Sequence, residues 1–170
     1  NTMTIEEVLK KNKFSTAMVK GSIKASEKRI SNNENIIFAI PIDINNQKKV
    51  GILTITDQKI LFVHNALGIG FSKEIPLSTI QSIDSKTGTV IRKETVVITG
   101  LTDTIYFTQL IEITNKIKNA IYEAQSYEKI TPTTASFYSA DELKKYKELL
   151  DTGIISQEEF DFKKKQLLGM

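Results

Sequence analysis

The sequence predicts an α+β protein that is mainly antiparallel β, with about seven short strands and helices towards both ends of the chain. Three observations predict this class. Residues 35–109 contain short runs rich in β-branched residues, separated by turn signals such as Asn45-Asn46. Residues 110–124 then repeat apolar side chains at three- and four-residue steps. Residues 139–168 carry two closely spaced helix start signals.

The N-terminal segment, residues 1–30, is predicted to be helical. Thr4 followed by Glu7 is a capping-box signature, so a helix should begin just after Thr4. Its apolar face would consist of Ile5, Val8 and Leu9. We expect Gly21 to break the helical run and Ser22 to open a second short helix. The segment could flank the main domain or pack across it.

The main domain is expected over residues 31–125, and its strands are short. The candidate strands are Ile36–Ile44, Val50–Thr56, Lys59–His64, Phe71–Leu77, Ile80–Ser85, Thr89–Arg92, Thr95–Thr99 and Ile105–Thr108. Only Asp57-Gln58 separates the second run from the third, which is typical of a tight hairpin. Short connections throughout favour an antiparallel sandwich or barrel over a parallel sheet.

A helix from about Gln109 to Gln125 is predicted to follow the last strand. Its apolar stripe would be Leu110, Ile113, Ile117, Ala120, Ile121 and Ala124, while residues such as Lys118 lie on the polar side. A small barrel can bury such a stripe at an open end, so we expect this helix to close the barrel.

The C-terminal segment, residues 139–170, reads as a hairpin of two short helices. Ser139 with Glu142 forms one capping box, and a second one involves Ser156 and Glu159. Gly153 falls where a helix C-terminus needs a positive φ. Residues 126–138 contain proline amid threonine and serine, which is typical of an exposed linker.

Such a hairpin is too small to bury a core of its own, because isolated segments below about 40 residues rarely do so without metals or disulfides. We therefore expect self-association or docking on a protein partner through its apolar side chains. These are Leu143, Tyr146, Leu149, Leu150, Ile154, Ile155, Phe160 and Leu167.

The run from Gly51 to Phe62, together with Ile75–Ile80, resembles bacterial pleckstrin-homology-like (PH-like) domains of the YokE type. Thr56-Asp57 and Lys59 match the turn pattern of that family, which often has arginine where this chain has Lys59. The resemblance covers about residues 30–125. It implies a PH-like barrel of about seven strands with a C-terminal helix, acting as a module for partner binding.

The tail is similar to the short C-terminal domain called SHOCT. The matching positions are Leu143, Leu149-Leu150, Gly153, Ile154-Ile155, Glu158-Glu159-Phe160, Lys163-Lys164 and Leu167-Leu168. This resemblance implies a role in oligomerisation or docking.

No catalytic set is visible, and we expect a non-enzymatic protein without a cofactor or metal. The 170 residues include no cysteine and a single histidine, His64, so thiolate chemistry and a Ser-His-Asp set with a reserve base are excluded. Gly68-Ile-Gly70 lacks the spacing of a phosphate loop and predicts a turn. The net charge of +3 is too small to suggest nucleic-acid binding. The cysteine count and the absence of a long apolar run fit a cytoplasmic location.

The alternative to a protein-binding module is a peripheral membrane module that binds anionic lipid. Lys48 and Lys49, in the first connection between strands, and Lys59 are the candidate residues. Each lysine near an anionic surface contributes about 1 kcal/mol. Two lysines are too few for stable anchoring without a second signal, so we expect weak membrane contact at most.

Overall fold

The computed structural model describes the backbone of residues 2–89, 91–128 and 143–168. It describes the side chains of residues 2–89, 91–127 and 143–165. The chain divides into two compact units between Lys129 and Ile130. The elements of the first unit are α1 (Ile5–Lys11), α2 (Lys20–Glu27), β1 (Ile36–Ile42), β2 (Gly51–Thr56), β3 (Lys59–Ala66), β4 (Ile69–Pro76), β5 (Ser82–Thr87), β6 (Lys93–Thr99), β7 (Thr104–Leu110) and α3 (Ile111–Glu128). The second unit contains α4, described over residues 143–151, and α5 (Gln157–Leu168).

The described strands form two antiparallel sheets, one in the order β1-β2-β3-β4 and one in the order β5-β6-β7. The predicted hairpin at Asp57-Gln58 joins β2 to β3. Ala66 pairs with Ile69 across a two-residue turn between β3 and β4. The predicted class, α+β with mainly antiparallel strands, is confirmed.

The main core lies between the two sheets and α3. Leu53 and Phe62 come from the first sheet and Ile98 from the second, and all three are fully buried. Four members of the predicted stripe of α3 are buried against them: Ile117, Ala120, Ile121 and Ala124. The C-terminal helix of the first unit therefore packs on the sheets, as the apolar periodicity predicts.

Helices α1 and α2 pack across the outer face of the first sheet. Ile5 and Leu9 on α1 and Ile23 on α2 share a second buried cluster with Ala39 of β1 and Ile52 of β2. Both faces of β2 are consequently covered, and every residue of this strand is buried. The capping box that opens α1 is confirmed, since the Thr4 hydroxyl accepts a hydrogen bond from the Glu7 N–H and the Thr4 N–H donates to the Glu7 carboxylate.

Gly21 does not break the helix as predicted, because α2 already begins at Lys20. A Cβ atom at Gly21 would lie 2.8 Å from the main-chain oxygen of Asn65. The Ser22 hydroxyl accepts a hydrogen bond of 2.9 Å from the Asn65 N–H at the same crossing. The glycine thus allows a close approach of α2 to β3, which a helix-breaking interpretation of the sequence misses.

The strand predicted over Thr89–Arg92 is wrong. Ile91 and Arg92 form a turn, Val90 lies outside the described residues, and Arg92 has a φ of 69°, which is incompatible with an extended strand. The strand predicted at Ile80 begins later, at Ser82, because a single 3₁₀ turn, Leu77–Thr79, intervenes after β4.

Two residues that the sequence assigned to α3 lie in environments that differ from the predicted ones. Leu110 is the last residue of β7 and is 46% exposed, so it is not part of the buried stripe. Lys118 does not simply face solvent on the polar side of the helix, because its Nζ forms an ion pair of 2.6 Å with a carboxylate oxygen of Glu94. The helix begins at Ile111, and Thr114 inside it is buried with its hydroxyl donating to Glu94.

The second unit shows the predicted turn chemistry between α4 and α5. Gly153 has a φ of 75°, the left-handed conformation that ends a helix with little strain in glycine. The Ser156 hydroxyl accepts from the Glu159 N–H at 3.2 Å, and the Ser156 N–H donates to the Glu159 carboxylate. This capping box is confirmed. The one predicted for Ser139 and Glu142 lies outside the described residues.

Candidate binding surfaces

A groove of about 740 Å³ opens in the first unit where the α1–α2 connection meets the first sheet. Its lining is mainly apolar and comes from Phe14, Met18, Val19, Ile40, Pro41, Val50, Ala66 and Ile113. Its polar lining consists of Ser15, Lys48, Lys49, His64 and Gln109. An apolar floor with a basic rim suits binding of an apolar group that lies next to negative charge.

The β1–β2 connection positions Lys48 and Lys49 at the groove. The Asp43 carboxylate accepts hydrogen bonds from the Lys48 N–H at 3.1 Å and the Lys49 N–H at 3.2 Å. These bonds fix the main chain and leave both lysine side chains exposed. Among the described residues, no carboxylate forms an ion pair with either ammonium group. Asp43 still places one negative charge beside the two positive ones.

The structure does not bring Lys59 to this groove. Its ammonium group lies 3.3 Å from Glu34 and 3.3 Å from Glu74, and it donates to the main-chain oxygen of Arg29 at 2.7 Å. Burial alone would raise the pKa of Glu34, but hydrogen bonds from Ser31 N–H and the Thr56 hydroxyl, with Lys59 itself, hold that pKa below its ordinary value. The Lys59 charge is therefore already matched by two carboxylates.

The ring of His64 is held by contacts within the first unit. Its Nδ1 lies 2.8 Å from the main-chain oxygen of Val50, and its ring centroid is 5.8 Å from that of Phe71. In the part of the chain that the structure describes, no group of three or more histidine, cysteine or acidic residues is arranged to hold a metal ion.

Exposed apolar side chains cluster beside the groove, and the sequence interpretation missed them. Leu67 is fully exposed at the tip of the β3–β4 hairpin, and Ile69 is 80% exposed. Met18, in the α1–α2 connection, is 92% exposed. The available signal was a pair of large aliphatic residues flanking Gly68 in a predicted turn, where polar residues are the norm.

The apolar side chains in the hairpin of the second unit are partly exposed. From residue 143 to residue 165, no described side chain is fully buried. The half-buried members of the predicted set are Leu143, Tyr146, Leu149, Leu150, Ile155 and Phe160. Ile154 is 70% exposed, and the side chain of Leu167 lies outside the described residues.

Phe162, which the sequence interpretation did not include, is 68% exposed. It lines a depression of about 430 Å³ with Tyr146, Ile155, Glu158, Glu159 and Lys163. Its spacing from Phe160 places the two aromatic rings on different sides of α5. A helix with apolar residues on two sides exposes one of them unless a partner covers it.

Two antiparallel sheets packed face to face, with a helix after the last strand, are the arrangement of a PH-like fold, and α1 and α2 add a layer on the outer face of the first sheet. PH-like domains are generally binding modules. The family model described as "Bacterial PH domain" matches residues 30–131, and the chain therefore belongs to that family. The "Short C-terminal domain" model, SHOCT, matches residues 141–168.

Solved structures with a similar fold include three PH-like or uncharacterised domains. The Vps36 N-terminal PH domain is 13% identical over 57% of this chain and 86% of that chain, with a TM-score of 0.43. The C-terminal domain of an unknown protein from Leishmania infantum is 17% identical over 61% and 92%, with a TM-score of 0.44. A pleckstrin homology domain from Shewanella amazonensis SB2B is 13% identical over 66% and 94%, with a TM-score of 0.39. No curated protein matches the sequence.

Among the described helices, none combines the length and the apolar character needed to cross a membrane.

Proposed function

We propose that this protein is a non-enzymatic binding and scaffold protein, in which the C-terminal hairpin joins copies of the chain or docks on a protein partner. The observation that carries the proposal is the open apolar surface of the hairpin. Ile154 and Phe162 are more than two-thirds exposed, and none of the described side chains of the hairpin is fully buried.

The physical reason is the free energy of apolar burial. Covering a large aliphatic or aromatic side chain stabilises a contact by about 1.5–3 kcal/mol. Several such side chains on one hairpin are enough to drive association, provided that the partner surface is complementary. A second copy of the hairpin offers the same set of residues, which suits the two-fold contacts that most homo-oligomers use.

The barrel unit is proposed to be the partner-binding module. We keep the boundaries expected from the sequence as part of this proposal: an N-terminal segment over 1–30, a PH-like domain over 31–125, a linker over 126–138 and the hairpin over 139–170. The basic-rimmed apolar groove supports binding at the end of the barrel that carries Lys48 and Lys49. Lys59 is not included, because two carboxylates already match its charge.

Light scattering on the full chain and on a truncation ending at residue 138 tests the hairpin role. The truncation keeps the whole buried core of the first unit, so it should remain a folded β-rich protein. We expect a smaller assembly for the truncation than for the full chain. Equal masses at all concentrations would exclude self-association through the hairpin and leave only docking on another protein.

A further inference from the structure

The four sheet edges of the first unit differ in how they are closed. A sheet edge presents main-chain N–H and C=O groups that can pair with another chain. The edge of β7 is occupied, because the Asn45 N–H donates to the Tyr106 oxygen and the Asn45 side chain accepts from the Tyr106 N–H, both at 2.8 Å. The edge strand β1 contains Pro41, which has no N–H to offer. The edge strand β4 lies against the β6–β7 turn, since Lys73 donates to the main-chain oxygen of Thr104 at 3.3 Å.

The fourth edge, on β5, is open. This strand pairs with β6 on one side, and on its other side no main-chain hydrogen bond is formed within the part of the chain that the structure describes. Lys118 of α3 reaches the Ser85 hydroxyl at 3.1 Å and leaves the main chain of β5 untouched. Every second residue of an edge strand turns its N–H and C=O away from its neighbour. A further antiparallel strand can therefore bond to β5.

Asp84 and Lys86 place opposite charges on one face of this edge. The two residues are two positions apart, so their side chains point to the same side of the sheet. They lie opposite Val97 and Thr95 of β6, and both are exposed. Among the described residues, neither forms an ion pair. Charges of one sign along an edge would repel a second copy of the strand, whereas these two can complement it.

The order of the charges selects one register for pairing β5 with the same strand of a second copy. Directly opposed side chains of antiparallel strands share a face, so a two-fold pairing must be centred on a residue. Centring on Ser85 places Asp84 of each copy opposite Lys86 of the other, twice in one contact. Centring on Asp84 opposes two carboxylates, and centring on Lys86 opposes two ammonium groups. Of these three registers, only the one centred on Ser85 is attractive.

We propose that the β5 edge is a contact between copies of this chain, in which two β5 strands pair antiparallel about Ser85. The contact would join the three-stranded sheets of the two copies into one continuous sheet. It lies in the first unit, goes beyond the proposed role of the hairpin and does not depend on that role. Because β5 has six residues, main-chain hydrogen bonds and the two charge pairs must supply the free energy, and the contact should depend on concentration.

A second copy suits this edge better than an extended peptide of arbitrary sequence. When a peptide adds a strand to a sheet, main-chain bonds give affinity and pockets for side chains give specificity. The exposed side chains of β5 are short or charged, namely Asp84, Ser85, Lys86 and Thr87. Recognition would therefore depend on the order of charges, and the order along β5 complements itself when the strand is reversed.

Disulfide cross-linking of the full chain, which contains no cysteine, tests the contact. Ser85→Cys places a thiol at the two-fold axis, where opposed Cβ atoms lie about 4.5–5.5 Å apart, close to the spacing in a disulfide. Diamide, which takes up the two thiol hydrogens as the sulfur–sulfur bond forms, should give a covalent dimer that dithiothreitol reverses. Thr108→Cys, at an exposed position of β7 away from this edge, is the control and should form a dimer far more slowly.

Charge variants of the Ser85→Cys chain test the register. Asp84→Lys opposes two lysines on both sides of the axis and should slow dimer formation by at least about fivefold. Lys86→Asp should have the same effect by opposing two aspartates. Asp84→Lys/Lys86→Asp restores opposite charges and should recover the rate. All three alter exposed residues, and an unchanged melting temperature shows that they are folded.

The proposal is overturned if Ser85→Cys forms a dimer no faster than Thr108→Cys, or if the combined exchange fails to recover the rate. Dimer formation that no charge variant changes would indicate random collision of exposed thiols and would also overturn it. Slow dimer formation, together with protection of the Ser85→Cys thiol by a purified second protein, would assign the edge to that protein instead. The comparison is repeated in the Ile154→Asp chain at raised concentration, so that a failure of the hairpin contact is judged separately.

Discussion

Lys118 on helix α3 and Glu94 on strand β6 form an ion pair of 2.6 Å, and both side chains are less than one-fifth exposed. The Thr114 hydroxyl donates to the same carboxylate at 2.9 Å. This cluster ties α3 to the second sheet by charge, in addition to the apolar stripe. Removal of the ammonium group leaves a shielded carboxylate without its strongest partner.

Lys118→Ala should therefore lower the free energy of unfolding by about 1–3 kcal/mol, the usual cost of leaving a buried polar group without its partner. Lys116, which lies two residues before Lys118 on α3 and is exposed, provides the control. Urea unfolding followed by circular dichroism measures both variants. Equal midpoints for Lys118→Ala and Lys116→Ala would show that the ion pair adds no stability.

Acid should destabilise the first unit through this pair. The hydrogen bond from Lys118 is the main cause that lowers the pKa of Glu94 below its ordinary value of 4.5, and it outweighs the opposing effect of burial. Because the pKa is lower in the folded state, the unfolded state binds more protons at low pH. The stabilisation is present above about pH 4.5 and is lost as the pH falls through the folded-state pKa.

Glu94→Gln tests this pH dependence. Urea midpoints of the unaltered chain should fall between about pH 5 and about pH 3, and the fall should be smaller for Glu94→Gln, which cannot titrate. Glu34, whose pKa is also lowered, retains part of the dependence in the variant. Identical pH profiles for the two proteins would contradict the assignment of Glu94 as an acid-sensitive contact.

The buried stripe of α3 makes a third prediction. Ile117 is fully buried, and Ile117→Ala should cost about 2–5 kcal/mol through lost burial and the cavity left behind. Leu110→Ala is the matched aliphatic control, because Leu110 is 46% exposed at the end of β7. We expect it to change the melting temperature little. A comparable loss in both variants would place Leu110 in the core after all.

The close contact between Gly21 and Asn65 decides whether Gly21→Ala raises or lowers the stability of the first unit. Inside an exposed helix, alanine in place of glycine usually stabilises by about 1 kcal/mol. Here the added methyl would lie 2.8 Å from the Asn65 oxygen, so α2 must move away from β3. We expect a lower melting temperature for Gly21→Ala, and no such loss for Lys24→Ala on the exposed side of α2. A more stable Gly21→Ala would show that the crossing is loose.

The sequence predicted the parts of this fold that are set by local periodicity and turn chemistry. The Asp57-Gln58 hairpin, the Thr4 cap and the Gly153 turn depend on neighbouring residues, and all three are confirmed. Gly21 was misinterpreted because its role depends on Asn65, which is distant in sequence. The pairing of Lys118 with Glu94 is equally long-range.

The candidate surfaces were predicted less completely, because exposure also depends on residues that are distant in sequence. Apolar periodicity indicates which residues a helix buries, but it does not indicate which apolar residues a turn exposes. Leu67 and Ile69 flank Gly68 in a predicted turn, but only the folded hairpin shows that both side chains are exposed. Lys59 matched the family turn pattern, yet its pairing with Glu34 and Glu74 needed the folded arrangement.

The most direct test of the central claim is the mass of the full chain in solution, measured by light scattering as a function of concentration. Ile154→Asp replaces a side chain that is 70% exposed within the hairpin, so the variant should keep its helices while placing a carboxylate in the proposed contact. Leu150→Asp should have the same effect, and Lys145→Asp, on the exposed side of α4, is the control. We predict oligomers for the unaltered chain and for Lys145→Asp, and smaller species for Ile154→Asp and Leu150→Asp. A single common mass for all four proteins would contradict self-association through the hairpin.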